Sequence, residues 1–504
     1  MTTSPIFSRK FIRNGTAIVI LFAALKLIIH LATNSQYGFN RDELYYLACS
    51  EHLDFGYVDH PPFTPILAFI VRHTLGGSLF MLRLLPAIAG ALMVLLVGIM
   101  VRRLGGGITA QIIAALCVIV APIFLSMGIL FTTNVFDQLF WTVCFYLLIL
   151  MLKGNNLRYW LTIGTILGVG LLNKYSMLFL AIGLLIGFLL TSSRKMLFTK
   201  QFIYAVAIAI VIFIPNIIWQ INHDWPTLEF LKKSVINRMP NVSPFEFIRS
   251  QFFAFNPVVF PVSIIGLAYL LFSKKAQRFR ALAWIFVTVF VILAFQRSKD
   301  YYLAPAYPVI WAFGAIALER FASGRPRKWL ARVTIAALII SGAVMAPLAL
   351  PILPIEQADS YGRRFGDGLH PVFSDMLGWE NMVKTVAGVY NELPAEERAN
   401  CAVMANNYGQ AAAIDFFGGK YGLPKSISTH NSYWLWGPRN YTGDFVITAG
   451  VKKESLGQGF SEVKLGATIV NDHVVWYENN QPVYIWSGPK IPLKKIWPRI
   501  KLYY

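Results

Sequence analysis

Charge is scarce in this chain. Only 14% of its 504 residues are charged, and acids are the rarer kind, 25 Asp and Glu against 45 Lys and Arg. With 56% hydrophobic residues and a mean hydropathy of +0.54, that scarcity excludes an ordinary soluble globule, in which about a quarter of residues are charged. Cysteine is also rare: four residues, at 49, 117, 144 and 401, with no metal-ligand or disulfide-framework spacing. Two of them lie in apolar runs, and nothing in the spacing supports a Cys49–Cys401 bridge. Internal repeats and low-complexity tracts are not evident. The formal charge of +20 would point to nucleic acid in a soluble protein. Here the basic residues sit in short clusters between apolar runs, as the orientation rule for cytoplasmic loops requires, so no nucleic-acid partner is expected.

What the chain has instead is apolar runs of about twenty residues, the length a helix needs to cross a hydrocarbon core. The first, 18–32, follows Arg9, Lys10 and Arg13. It reads as a retained span rather than a cleaved signal peptide, because no small-x-small site follows and the charge alternation requires it. Ten more runs fall at 80–101, 108–128, 133–152, 158–172, 175–191, 202–220, 252–272, 281–296, 305–321 and 329–350. The expectation is a mainly α, polytopic helical membrane protein of about 11 spans. With a cytoplasmic N-terminus, the loops holding Arg102 and Arg103, Lys153 and Arg158, Arg194, Lys195 and Lys200, Lys274 to Arg280, and Arg320 to Lys328 share the cytoplasmic side. The loop 37–62, the turn at 132–137, the turn marked by Asn173 and Lys174, the loop 221–250, the segment 297–302 and everything after 354 then face outward.

That order predicts a transmembrane domain, 1–354, whose first outward loop (35–78) is the candidate catalytic loop, and a soluble extracytoplasmic domain, 355–504. The second domain reads as α/β, with helices at 382–391 and 409–417 and strands at Cys401–Ala405 and Phe445–Ala449.

The scarce charge is concentrated in the first outward loop, YGFNRDELYYLACSEHLDFGYVDHPP, which gathers Arg41, Asp42, Glu43, Glu51, His52, Asp54, Asp59 and His60. Asn40 with Glu43 three residues later is a capping-box pattern, predicting a helix over 41–53. Leu44, Leu47 and Ala48 then share a face suited to lying along the membrane. Asp42 and Glu43 have a plain reading, since acids are favoured in a first helical turn. They also have a chemical one, with Asp42 a general base at the water–lipid boundary. Asp59 and His60, stiffened by two prolines, are either a polar turn or a grip on substrate. Asp137 enters an apolar span in FTTNVFDQLFW, where an acid is costly unless it faces a cavity or partner. Lys174 with Tyr175, and Lys299 with Tyr301 and Tyr302, combine cations with aromatics at outward span ends. They are membrane anchors or, alternatively, ligands for a phosphate and a sugar face. Arg41, His60, Arg83 and Arg297 complete the outward cations. In the C-terminal domain, Asn406 to Tyr408 and the aromatics Tyr433, Trp434 and Trp436 are candidate contacts for a glycan or acceptor.

RDELYYLA, GYVDHPP, TTN-x-x-D, NKYS, PNIIWQINHDWPTLEF, KDYYLAPAYP and NNYGQAAAIDFFGGKYGLP, in this order, resemble the bacterial polyprenyl-phosphate-sugar-dependent glycosyltransferases of the GT-C fold. These are relatives of the protein O-mannosyltransferases and the lipid A aminoarabinose transferase, and the resemblance covers nearly the whole chain. It implies transfer of one sugar from a polyprenyl-phosphate-linked donor to a hydroxyl of an envelope lipid, glycan or protein, at the periplasmic face of the bacterial inner membrane. It also implies a catalytic role for Asp42, with Glu43 beside it, and donor binding by Arg41, Asp59, His60, Asp137, Lys174, Tyr175, Lys299, Tyr301 and Tyr302. His60 departs from the lysine of the lipid A enzyme, which shifts the phosphate toward Lys174, Lys299 or an arginine. One base assisting an in-line attack predicts inversion at the anomeric carbon. No metal site and no cofactor are expected. The rival reading is a transporter or lipid-linked sugar flippase with a periplasmic binding domain; against it, the ionisable residues gather at span ends rather than mid-span.

Overall fold

The computed structural model describes residues 15–237, 243–296, 298–366, 368–456 and 459–504. Arg9, Lys10, Arg13, Arg297 and the side chain of Arg325 lie outside them. Contacts group the chain into two compact units, one of residues 1–35, 80–217 and 239–352, the other of 36–79, 218–238 and 353–504. The first outward loop therefore belongs with the C-terminal residues, rather than with the membrane helices on its own side of residue 354.

The first unit is a helical bundle. Among the described residues seven helices are long and apolar enough to cross a membrane, ten spans if each of three bent pairs counts as one, and Tyr159–Leu171 adds a shorter apolar helix. Every apolar run read above carries a helix. Two of the breaks have clear causes. Pro122 follows the helix Ile108–Val120, and Asn256 takes a positive φ of 76° ahead of Pro257, between Pro244–Ala254 and Val259–Phe272. The helices Tyr159–Leu171 and Met177–Leu189 are separate, turning at Asn173 and Lys174.

Hydrogen bonds tie the helix ends into two sets. Lys153 donates to the Arg103 carbonyl, Arg278 to the Lys153 carbonyl at 2.9 Å, and the Glu319 carboxylate accepts from the amides of Gly107 and Ala110. At the other end Asn173 donates to the Thr133 carbonyl at 2.9 Å, and Gln251 to the Asp300 carbonyl at 3.2 Å. In mid-bundle Val259–Phe272 and Tyr307–Ala322 meet at Gly266 and Gly314, where a Cβ on either residue would run into the other helix's carbonyl oxygen. Contrary to the expectation above, ionisable residues are not confined to span ends: Lys26 and His30 lie fully buried within the helix Thr16–Thr33, Lys26 donating to the Phe124 carbonyl at 3.0 Å.

The second unit is built on a sheet. Its strands are β1 (Cys401–Ala405), β2 (Ile427–Ser428), β3 (Phe445–Ala449), β4 (Phe460–Ile469) and β5 (Gln481–Pro489), in the order β2-β1-β3-β5-β4. β1 is parallel to β2 and β3, while β5 is antiparallel to β3 and β4. As the two-residue period requires, Cys401, Val403 and Ala405 enter one core, and Ala402 and Met404 enter another with Trp486, Leu493 and Trp497. The first core is roofed by the helices Trp379–Asn391 and Tyr408–Phe417, and by a third, Arg41–Ser50.

This last helix corrects an expectation. Leu44 and Ala48 do not lie along a membrane surface; they pack in the core with Val383, Ala411 and Ile414, and Leu47 is buried too. The physical reason is that nine of the ten residues of this helix are buried, charged Arg41 and Glu43 among them, so no single apolar stripe sets where it packs. The stretch 221–250 is likewise no loop: it holds the helices Pro226–Asn237 and Pro244–Ala254, the second opened by a capping box between Ser243 and Glu246. All four cysteines are buried thiols without a disulfide.

Candidate functional site

In the second unit the arrangement starts from Asn40. Its side chain accepts the Asp42 amide at 3.1 Å, and the Glu43 carboxylate accepts the Asn40 amide at 2.8 Å, closing the capping box. Nine of the ten residues of Arg41–Ser50 are buried, and the exception is Asp42. Glu43, fully buried, is a capping group. The Tyr408 hydroxyl donates to Asp42 Oδ1 at 2.9 Å, and Oδ2 has no hydrogen-bond partner among the described residues. Tyr408 is positioned in turn by Asn407, which caps its helix by accepting the amides of Gly409 and Gln410.

Arg41 is committed elsewhere. Its guanidinium lies 2.9 Å from Asp375 and 3.1 Å from Glu478, and stacks over Tyr477 and Trp379. Glu478 also accepts from Asn407 and from Gln410, so one carboxylate braces both helices that meet at Asp42. Burial lifts the Asp375 carboxyl to about 7; the nearby Arg41 opposes this, and Asp42 and Glu478 add to it.

Asp59 accepts from the Tyr45 hydroxyl at 3.0 Å and from Asn431 at 3.1 Å. Burial raises its pKa, with His60 and the Tyr45 hydrogen bond acting against the rise. His60 is not an open cation. It is buried among Tyr45, Tyr46 and Tyr57, its Nδ1 lies 2.9 Å from the Pro61 carbonyl and must donate to it, and Nε2 lies 3.8 Å from Cys49 Sγ. Tyr433, Trp434 and Trp436 are used for internal packing rather than as an open stacking face. Tyr433 donates to Asp415, Trp434 to the Trp497 carbonyl, and Trp436 stacks on His52 at 4.3 Å.

In the first unit the remaining candidates assemble into one cluster. Asp137, on the helix Thr133–Gly154, is buried; its Oδ2 accepts from Ser176 at 2.7 Å, and Oδ1 has no partner among the described residues. Lys174 donates to Asn134 Oδ1 at 2.6 Å, with its ammonium 4.8 Å from the Tyr302 ring centre and 5.5 Å from that of Tyr301. Lys174 feels both Asp137 and Lys299 electrostatically. Lys299 is exposed, 5.9 Å from the Tyr301 ring centre. Tyr175 donates to Asn216 at 3.2 Å. Arg83 is buried, donating to the Asn34 carbonyl at 3.1 Å. Two lysines, tyrosine rings and a carboxylate can hold a phosphate and orient a polar neighbour.

Reading the sequence misses Glu478, Asp375, Asn431, Ser176 and Asn134 as members of these clusters. Only the Asn407–Tyr408 pair, placed directly after a strand, carries a local signal. Among the described residues no group of three or more His, Cys, Asp or Glu is placed to hold a metal.

The helical bundle and the small mixed sheet, present in one chain, match the GT-C fold, and the apolar helices make this a multi-pass membrane protein. The fold matches ArnT from Cupriavidus metallidurans bound to undecaprenyl phosphate, with a TM-score of 0.64 at 15% identity over 94% of this chain and 100% of that one. It also matches the oligosaccharyltransferase AglB of Archaeoglobus fulgidus, in complex with an inhibitory peptide and a dolichol-phosphate, with a TM-score of 0.51 at 12% identity over 87% and 70% of the two chains. Residues 59–219 match the family described as dolichyl-phosphate-mannose-protein mannosyltransferase. In sequence the chain is similar to a lipid A galacturonosyltransferase of Rhizobium johnstonii, 26% identical over 314 residues, which are 60% of this chain and 63% of that protein. The match thus spans just under two thirds of that relative's length.

Proposed function

We propose that this chain transfers a sugar from a polyprenyl-phosphate-linked donor to a hydroxyl of an envelope acceptor, with Asp42 as general base. The observation that carries the reading is that Asp42 alone is left open on a helix otherwise buried, with one oxygen held by Tyr408. In the proposed step the acceptor oxygen attacks the anomeric carbon while its proton passes to Asp42 Oδ2. The bond from that carbon to the phosphate oxygen breaks, inverting the centre and releasing the polyprenyl phosphate. Lys174 and Lys299 are assigned the phosphate charge, Tyr301 and Tyr302 the sugar face, and Asp137 the orientation of Lys174. Arg41, Glu43, Asp59 and His60 are assigned support of the Asp42 helix and its following turn.

The donor assignment draws on the relatives that bind undecaprenyl and dolichol phosphates, and the acceptor on the lipid A galacturonosyltransferase, which favours an envelope glycolipid over a protein. The alternation of basic loops supports the bacterial inner membrane, with Asp42 and the C-terminal residues outside. The test is Asp42→Asn in the full-length protein reconstituted with a lipid-linked sugar donor. Turnover should fall by about a hundredfold or more while the protein remains folded in detergent. Turnover near that of the parent would remove Asp42 from the chemistry.

A further inference from the structure

One end of the helical bundle holds a cavity of about 630 Å³ whose lining includes Lys153, Lys274, Lys275 and Arg278 and no carboxylate. A second cavity, of about 600 Å³, shares Ser192 and Gln277 with it, adds Arg194, Lys195 and Arg280, and again has no carboxylate. Its lining also includes apolar Leu271 and Phe272, so basic side chains and a surface that suits hydrocarbon face the same space.

Backbone breaks create this concavity. The 119° bend between Met177–Leu189 and Ser192–Phe198, and the short 3₁₀ segment Lys274–Phe279 ahead of Arg280–Phe295, fold two loop segments back beside the helix ends. Some of the cations are already engaged: Arg278 donates to the Lys153 carbonyl, and Lys153 to that of Arg103. The ammonium groups of Lys274 and Lys275 are exposed and have no ion pair among the described residues. Lys153 also lies 19 residues along its helix from Asn134, which at 1.5 Å per residue is about 28 Å. That is close to the thickness of a bilayer's hydrocarbon core, so a membrane around this helix places the cavity at head-group depth.

We propose that these two neighbouring cavities form a binding site for an anionic membrane phospholipid, its phosphate held by Lys274, Lys275 and Arg278 and its acyl chains along Leu271 and Phe272. Loop charge that serves only to orient the chain has no need of convergence on one cavity, nor of an apolar wall beside it. The inference rests on the bundle alone and does not depend on the proposed reaction.

The experiment is native mass spectrometry of the full-length protein in detergent, titrated with phosphatidylglycerol or phosphatidylcholine. Phosphatidylglycerol adducts should persist and phosphatidylcholine adducts should not. In K274Q/K275Q/R278Q, affinity for phosphatidylglycerol should drop by about tenfold or more. K200Q/K328Q/R332Q, with the same loss of charge outside both cavities, should keep it. Equal losses in the two variants would reduce the effect to diffuse charge and overturn the proposal. So would equal binding of the two lipids, or displacement of phosphatidylglycerol by millimolar inorganic phosphate.

Discussion

Tyr408 donates its phenolic hydrogen to Asp42 across 2.9 Å and 366 positions of sequence. A hydrogen bond to a charged acceptor contributes about 1.5–3 kcal/mol, and the same tyrosine stacks on His430 and against Tyr45, contacts that phenylalanine keeps. Tyr408→Phe should therefore lower turnover by about tenfold to a hundredfold and the melting temperature by only a few degrees, leaving the donor KM nearly unchanged. A large loss of folded protein instead would make Tyr408 a packing residue.

Much of the helix around Asp42 is readable in advance, because Asn40 and Glu43 make a local signal three residues apart. Strands β1 and β3 are equally readable, being short apolar runs buried on both faces. β4 and β5 are not: in FSEVKLGATI only Ile469 is fully buried, so the alternation that marks a strand is faint. The braces of Asp42 leave still less trace. Glu478 ends the three-residue 3₁₀ turn Trp476–Glu478, too short to show a period, and its pairing with Arg41 spans 437 positions. Lys174, Tyr301, Tyr302 and Asp137 were each visible as charge or aromaticity beside an apolar run, but their convergence depends on helix packing that no local spacing encodes.

Lys174 and Lys299 differ in a way that kinetics can separate. Lys174 is half-buried and held by Asn134, whereas Lys299 is exposed. Lys174→Met should raise the donor KM by about tenfold or more, and Lys299→Ala by less, since a fixed charge loses less entropy on binding a phosphate. Unchanged donor KM in both variants would return the two lysines to anchoring the bundle at the interface.

The buried Asp375 carboxyl gives the second unit a pH signature. Its pKa is raised to about 7, so between about pH 4 and 7 the folded protein holds a proton that the unfolded chain has released. This group's stability contribution is full below its unfolded pKa and is lost as pH rises through 7. Asp375→Asn, which cannot ionise, should be close to the parent in thermal stability at pH 5 and should gain on it by a few kcal/mol at pH 8. A difference between the two proteins that stays constant with pH would contradict the assignment.

Gly266 and Gly388 make a matched pair for stability. A Cβ at Gly266 meets the Ile310 carbonyl, whereas one at Gly388, inside the helix Trp379–Asn391, meets nothing within 4 Å. Gly266→Ala should destabilise by about 1–3 kcal/mol as the two helices are forced apart, and Gly388→Ala should stabilise by about 1 kcal/mol through helix propensity. Melting curves of the two variants in the same detergent decide it.

The burial of Arg41–Ser50 beneath residues from the last third of the chain sets an order on biosynthesis. The ribosome makes the helix first, yet its seat consists of segments that emerge only after every membrane helix has been translated. A nascent or prematurely terminated polypeptide would carry Asp42 with neither Tyr408 nor Glu478 to brace it. The architecture thus withholds the assembled carboxylate until the chain has been translated past Glu478.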